Sequence, residues 1–297
     1  MIYPLIIFTM YLNDIKGSFQ IEEAEGAVGC SEACAFCGAY PDFSPECLRV
    51  RSITRDQLEQ NLRRFSSFLA LVVTTPPRTE PLQTDVFADL AEIVNVQTDT
   101  RSSLVAISHG LRSKNKIMEQ RLERIIGLME EGVIPLFVLS MDFARSRGKI
   151  DPQKNLESYM ETLMMLQTVL KVARVTVSLQ AESPEAMVKV EKMFAEILDR
   201  LGWTEEEMAL LNVDRRESYT ASGRAGVAGG ATVANSADCD IIPDAGYYDL
   251  VKADWPRTHK LRGMIDMNGR LWAQENRPGK VYGDSVDKSR WEMVDVG

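Results

Sequence analysis

From about Phe65 onward, short apolar runs alternate with longer amphipathic segments. "FLALVVTT" (68–75), "SLVAISHG" (103–110), "VIPLFVLSMD" ending at Asp142, "RVTVSLQ" (174–180) and "MALLNVD" (208–214) have the length and composition of buried strands. Between them, "DVFADLAEIVNV", "NKIMEQRLERIIGLMEEG", "NLESYMETLMMLQTVLKVA" and "SPEAMVKVEKMFAEILDRLG" repeat apolar residues at helical spacing. The boundaries carry their own signals. Thr54 and Gln57 form a capping-box pattern at the head of "RDQLEQNLRRF", Ser183 precedes Pro184 at a first turn, and Gly132 follows a last turn. The methionines between 160 and 165 fit helix packing better than a cofactor feature.

Unbroken alternation of this kind predicts an α/β fold with parallel strands and right-handed crossovers, either doubly wound or closed into a barrel. Ligands in such folds gather at the carboxyl ends of the strands. The polar residues there are Thr74, Ser108, Ser140, Asp142, Ser178 and Gln180, and they are the first candidates for a site. After Asp214 the texture changes. "SYTASGRAGVAGGATVANSADCD" is rich in glycine, serine and alanine and lacks helical period, which predicts a loop across the mouth of the domain. "LRGMIDMNGRLWAQ" predicts a hairpin, with Asn268 and Gly269 supplying a type I′ turn. The expected division is a main domain over 1–225 and a small β-rich appendage over 226–297, near the barrel mouth.

Composition is that of a globular protein: 297 residues, 45% hydrophobic and 26% charged. The net charge of −9 argues against a nucleic-acid partner, since phosphate binding needs a basic stripe. It suits a small cationic substrate, and equally a merely soluble surface. Residues 1–10 are apolar but too short to span a bilayer and lack a basic flank, so they read as a strand or packing segment. No later stretch reaches membrane-spanning length, and no membrane partner is expected.

The chain holds 5 cysteines, an odd number, with no secretion signal, which points to a reducing, cytoplasmic setting rather than a disulfide framework. Cys30, Cys34 and Cys37 are spaced CxxxCxxC within "GCSEACAFCGAYPDFSPEC", and Cys47 closes that stretch. Three arrangements fit. Four thiolates could bind zinc. The same four could enclose an iron–sulfur cluster. Or Cys30, Cys34 and Cys37 alone could hold a cubane cluster with one iron open to a ligand.

"CSEACAFC", with Phe36 before the last cysteine, resembles the cluster loop of the radical S-adenosylmethionine (radical SAM) enzymes. The resemblance implies a partial (β/α)6 TIM-like barrel with this loop after the first strand. It also implies a single 4Fe-4S cluster on Cys30, Cys34 and Cys37, with Cys47 a bystander. S-adenosyl-L-methionine would chelate the open iron, and its reductive cleavage would yield a 5′-deoxyadenosyl radical that abstracts a substrate hydrogen atom. An external electron donor such as flavodoxin or ferredoxin would be needed.

Further segments extend the likeness to about 29–225. "RTEPLQ" (78–83) resembles the family's Gly-Gly-Glu-Pro segment, with Arg78 and Thr79 in place of the glycines, and implies that Glu80 holds the methionine amino group. "SHGL" stands where members often show Thr-Asn-Gly. "VLSMD" resembles the fourth-strand segment, which implies Ser140 and Asp142 for the ribose. "SGRA" (222–225) resembles a loop after the sixth strand.

The hairpin region resembles the SPASM or twitch extension of peptide-modifying members, but without its auxiliary-cluster cysteines: only Cys239 occurs after Asn212. Without an internal electron acceptor, a redox-neutral outcome is expected. A thiol on the face opposite the deoxyadenosyl group would return hydrogen with inversion, as in radical SAM epimerases of aminoglycosides or ribosomally made peptides. Cys239 is the candidate donor; its plain alternative is a buried small residue. Asp238, Asp240, Asp244, Asp249 and Asp254 surround it with negative charge. The expected function is therefore epimerisation in natural-product (antibiotic) biosynthesis. A mutase, lyase or peptide-modifying enzyme with an idle Cys239 is the first alternative, and a non-catalytic zinc or iron–sulfur protein the second. His109 and His259 are assigned no catalytic role.

Overall fold

The computed structural model describes residues 10–11, 19–32, 44–74, 79–97, 104–112, 115–142, 152–181, 183–216, 261–275 and 292–295. In chain order the strands are β1 (Met10–Tyr11), β2 (Phe19–Ala24), β3 (Ala27–Val28), β4 (Arg51–Ser52), β5 (Leu69–Thr74), β6 (Val105–Ser108), β7 (Leu136–Met141), β8 (Arg174–Gln180), β9 (Leu211–Arg216), β10 (Leu261–Ile265), β11 (Leu271–Glu275) and β12 (Glu292–Asp295). The helices are α1 (Pro45–Leu48), α2 (Arg55–Arg63), α3 (Val86–Gln97), α4 (Lys116–Glu130), α5 (Pro152–Leu166), α6 (Pro184–Leu201) and α7 (Glu205–Leu210).

The fold is mixed α/β. Strands β6, β7, β8 and β9 form one parallel sheet in sequential order. β2 and β5 pair in parallel within a second sheet of order β1-β12-β11-β10-β2-β5. Among the described residues no ladder joins β5 to β6, so the parallel strands lie in two sheets where the family resemblance implies one partial barrel. The C-terminal hairpin of β10 and β11 is built into the second sheet, because β10 runs parallel to β2 and hydrogen-bonds to it.

Local sequence accounts for most boundaries. The Thr54 and Gln57 capping box is formed, with Thr54 N–H donating to Gln57 Oε1 (3.0 Å) and Gln57 N–H to Thr54 Oγ1 (3.3 Å). Ser183 caps α6 by accepting from the Ala186 N–H (3.2 Å), and α6 ends at Gly202 with φ +62°.

Two local expectations are corrected. Met208–Leu210 is helical, not extended, because Thr204 and Glu207 form a second capping box that nucleates α7; the strand begins at Leu211. The hairpin loop is not a two-residue type I′ turn. Asp266 N–H donates to Arg270 C=O and Gly269 N–H to Asp266 C=O (both 2.9 Å), leaving residues 267–269 as the loop with Gly269 at φ +70°. The Asp266 carboxylate imposes this form by accepting from the Asn268 and Arg270 N–H groups (both 2.9 Å) and from Trp272 Nε1 (3.0 Å). β2, a strand preceding the cysteine loop, lies in an acidic stretch, yet Ile21, Glu23 and Ala24 are all buried.

The core is one contiguous cluster between strands and helices. Ala106, Phe137, Leu139, Met141, Val175, Val177 and Leu179 belong to it, so alternate residues of β6, β7 and β8 face the helices. The other face of the parallel sheet is left to the residues between them. Met160 and Met165 pack against the core as expected, whereas Met164 is exposed.

On the outer layer, Arg124 of α4 reaches Asp89 and Glu92 of α3 (both 2.7 Å), and Arg55 of α2 reaches the same two carboxylates. Burial works against the charged form of Glu92, but hydrogen bonds from Arg55 and Arg124 outweigh it and hold the carboxyl below its ordinary value. A carboxyl depressed on folding contributes stability above its unfolded pKa, about 4.3 for Glu. That contribution disappears as pH falls through the lower folded value. Urea unfolding of Glu92→Gln is therefore expected to show a shallower loss of stability below about pH 4 than the parent chain. Equal acid slopes would contradict it.

Candidate active site

The cysteine loop leaves β2 through Gly26 and β3, which pairs antiparallel with β4 (Ala27 to Ser52, Val28 to Arg51). The next residue, Gly29, has φ +87°, and a Cβ there would lie 2.0 Å from the Arg49 carbonyl oxygen. Only glycine permits this approach. It lets the Cys30 N–H donate to the Cys47 C=O (3.0 Å). Cys47 lies in α1, whose N-cap is Ser44. Cys30 and Cys47 are both partly exposed, and neither forms a disulfide among the described residues. The sequence treats Cys47 as lying beyond the loop; the structure brings its backbone against the first cysteine. Cys34, Cys37 and Cys239 lie outside the described residues. Among the described residues no cluster of three or more His, Cys, Asp or Glu side chains is close enough to bind a metal ion.

Two further motifs converge on this neck. Glu80 caps a 3-10 turn (Pro81–Gln83), and Gln83 at its end meets Ser31: Ser31 N–H donates to Gln83 Oε1 (3.1 Å) and Gln83 Nε2 to Ser31 Oγ (2.9 Å). Arg112, just past "SHGL", donates from Nε and Nη2 to Glu32 Oε1 (3.0 and 2.8 Å). Beside this junction, at the start of α4, lies a cavity of about 210 Å³ lined by Ser31, Val50, Gln83, Arg112, Asn115 and Arg121, among others.

Glu80 itself is 4% exposed. Its Oε1 accepts from the Leu82 N–H (3.3 Å) and the Ser108 hydroxyl, and its Oε2 from the His109 N–H (2.9 Å). Much of its acceptor capacity therefore goes to joining the turn after β5 to the end of β6. Ser108 also accepts from the Gly110 N–H (2.9 Å) and pairs in register with the core residue Leu139, so it supports Glu80 and shares the helix-facing side of the sheet. Gly110, at φ +82°, brings the chain against Thr162 of α5.

Ser140, Ser178 and Gln180 occupy the opposite face, since they alternate with core residues. Ser140 pairs with Ser178 and Ser178 with Asp214, and Ser178 Oγ donates to Asp214 Oδ2 (3.4 Å). Asp142, directly after β7, is fully buried, and its N–H donates to the Tyr159 hydroxyl (3.0 Å). His109 Nδ1 lies 3.7 Å from Asp142 Oδ2. The face gains Thr176, Asn212 and Asp214, none of which the sequence motifs had singled out. The signal was present in "RVTVSLQ", where every second residue is polar. This face carries hydroxyl, amide and carboxylate groups, the chemistry that would order a polar ligand, although Ser140, Thr176 and Ser178 are almost fully buried.

No protein-family model and no curated relative matches the chain. Solved structures of SuiB from Streptococcus suis are similar to it at low identity. SuiB bound to S-adenosylmethionine is 13% identical at TM-score 0.44, with 94% of this chain and 68% of that one covered. SuiB bound to precursor peptide SuiA is 14% identical at TM-score 0.43, covering 88% of this chain and 61% of that one. SuiB itself is 11% identical at TM-score 0.37, covering 92% and 66%. Likeness at this level decides neither fold nor chemistry.

Proposed function

We propose that the chain is a radical SAM enzyme that epimerises a carbon centre of a natural product, an aminoglycoside or a peptide. The observation that carries this is convergence: the first cysteine of the CxxxCxxC loop, the Glu-Pro turn and the "SHGL" turn all meet at the carboxyl ends of β2, β5 and β6. The three segments that resemble one family in sequence are thus neighbours in space. Cys30 is a partly exposed cysteine and fits a cluster ligand; Cys34 and Cys37 complete the set in this proposal. When bound, the cluster would supply the electron that cleaves S-adenosylmethionine, received from flavodoxin or ferredoxin.

The chain's own contribution is to bind and orient. Glu80 would hold the methionine amino group, and Ser140, Asp142, Ser178 and Gln180 would order the remainder. Cys239 would pass a hydrogen atom to the substrate radical, leaving a thiyl radical that one electron and one proton return to the thiol. The test is anaerobic reconstitution with iron and sulfide, then S-adenosylmethionine and dithionite in deuterated water. Expected products are 5′-deoxyadenosine and, with substrate, one solvent deuterium at the inverted carbon. No 5′-deoxyadenosine would remove the proposal; normal inversion by Cys239→Ala would remove the donor.

One observation favours a second reading. The backbone bond from Cys30 to Cys47 brings a fourth thiol residue to the neck, as a four-thiolate zinc or closed iron–sulfur site requires.

A further inference from the structure

We infer that Glu32, Gln83 and Arg112 form a clasp that fixes Cys30–Glu32, the start of the cysteine loop, before any metal arrives, making them positioning residues for the first thiol. The inference rests on the reading that Cys30, Cys34 and Cys37 bind a metal group. It concerns three residues to which the family resemblance assigns no role.

Glu32 stands between Cys30 and Cys34 in sequence and is 2% exposed. A buried carboxylate is costly unless hydrogen-bonded by charged or amide donors. Here Gln83 Nε2 (3.0 Å), Arg112 Nε (3.0 Å) and Arg112 Nη2 (2.8 Å) all converge on its Oε1. Gln83 adds a two-point grip on Ser31, engaging both its N–H and its hydroxyl, and Arg112 Nη2 also approaches Ser31 Oγ (3.3 Å). Consecutive backbone N–H groups are thereby committed: that of Cys30 to Cys47, and that of Ser31 to Gln83. The main chain that carries the first thiol is held on both sides by protein alone.

The partners are themselves anchored. Gln83 ends the turn capped by Glu80, and Glu80 is tied to Ser108 and His109. Arg112 follows Leu111, whose N–H donates to Thr162 Oγ1 (2.9 Å) and whose C=O accepts from Ser158. The clasp therefore transmits the positions of β5, β6 and α5 to a loop remote in sequence. Preorganisation of this kind lowers the ordering cost of binding rather than adding a contact to the ligand.

A surface ion pair of merely structural value would alter thermal stability and leave the loop's chemistry alone. The experiment therefore reads the loop. Full-length chain, Arg112→Met, Gln83→Leu and Gln83→Glu are compared in two assays: iodoacetamide labelling of Cys30 in metal-free protein, resolved by mass spectrometry, and loss of reconstituted iron to a chelator. Thermal unfolding and the control Arg63→Ala, an exposed ion pair on α2, correct for general loosening. Each clasp variant is expected to lose iron roughly 10-fold faster and to label Cys30 faster, as fits the removal of a charge-assisted bond to a buried carboxylate. Gln83→Glu sets a second carboxylate against Glu32, and the double variant E32Q/Q83E, which restores an amide opposite a carboxylate, should recover part of the loss.

Iron retention and labelling that match the parent chain, or change only as melting temperature does, would overturn the clasp. If the parent chain holds iron but forms no 5′-deoxyadenosine, while the variants still lose iron faster, the clasp stands and the radical proposal falls.

Discussion

Cys34→Ala is expected to reduce 5′-deoxyadenosine formation at least about 1,000-fold, and Cys47→Ala to leave it within roughly threefold of the parent chain. In the proposed arrangement Cys34 is one of three thiolates, and the scaffold cannot replace the electron path it completes. Cys47 contacts Cys30 through its carbonyl oxygen, which any residue retains. Its side chain is partly exposed in a short helix, so truncation to alanine creates no core cavity. The four-thiolate alternative predicts the reverse: Cys47→Ala would abolish metal binding as fully as Cys34→Ala. Metal per chain, measured with the cleavage assay, separates the two outcomes. Equal, complete loss in both variants would favour the closed site.

Gly29→Ala is the second large effect, and it falls on stability. At φ +87° an L-residue is strained by about 1–2 kcal/mol. The added methyl would also lie 2.0 Å from a backbone carbonyl, which cannot swing aside as a side chain can. Together these are expected to cost about 3–4 kcal/mol, a fall of roughly 10 °C in melting temperature. Gly132→Ala provides the comparison. It shares a positive φ of +74°, yet a Cβ there meets nothing within 4 Å. It should lose about 1–2 kcal/mol, the backbone part alone. The difference between the two measures the close approach at the neck. If both fall equally, that approach is not stabilising the loop.

How much of this was legible beforehand follows from the range of the forces involved. The capping boxes at Thr54 and Thr204 are satisfied within one turn, so the sequence displays them in full, although the apolar run "MALLNVD" competes with the second as a strand signal. Strand and helix alternation from β5 to β9 was legible because hydrophobic period is a local property. The hairpin was foreseen, but its loop was not, because the Asp266 carboxylate outcompetes the Asn-Gly preference by taking two backbone donors and Trp272. β2 shows no clear alternation in the sequence, because its register is set by partners at Leu69–Thr74 and Leu261–Ile265 and its acidic residues mask any period.

By itself the sequence determined the α/β alternation, the cysteine spacing and the polar residues that end each strand, because each is a relation among near neighbours on the chain. Tertiary structure decided what those residues do for one another. It turned Ser108 toward the core as a support for Glu80, brought Cys47 against Cys30, and joined the hairpin to the sheet of β2. It also closed Glu32, Gln83 and Arg112 around the loop across separations of 51 and 80 residues. A carboxylate, an amide and a guanidinium carry no mark of their partner in the chain. Burial selects the pairing, since a buried carboxylate without donors would cost more than the fold can supply.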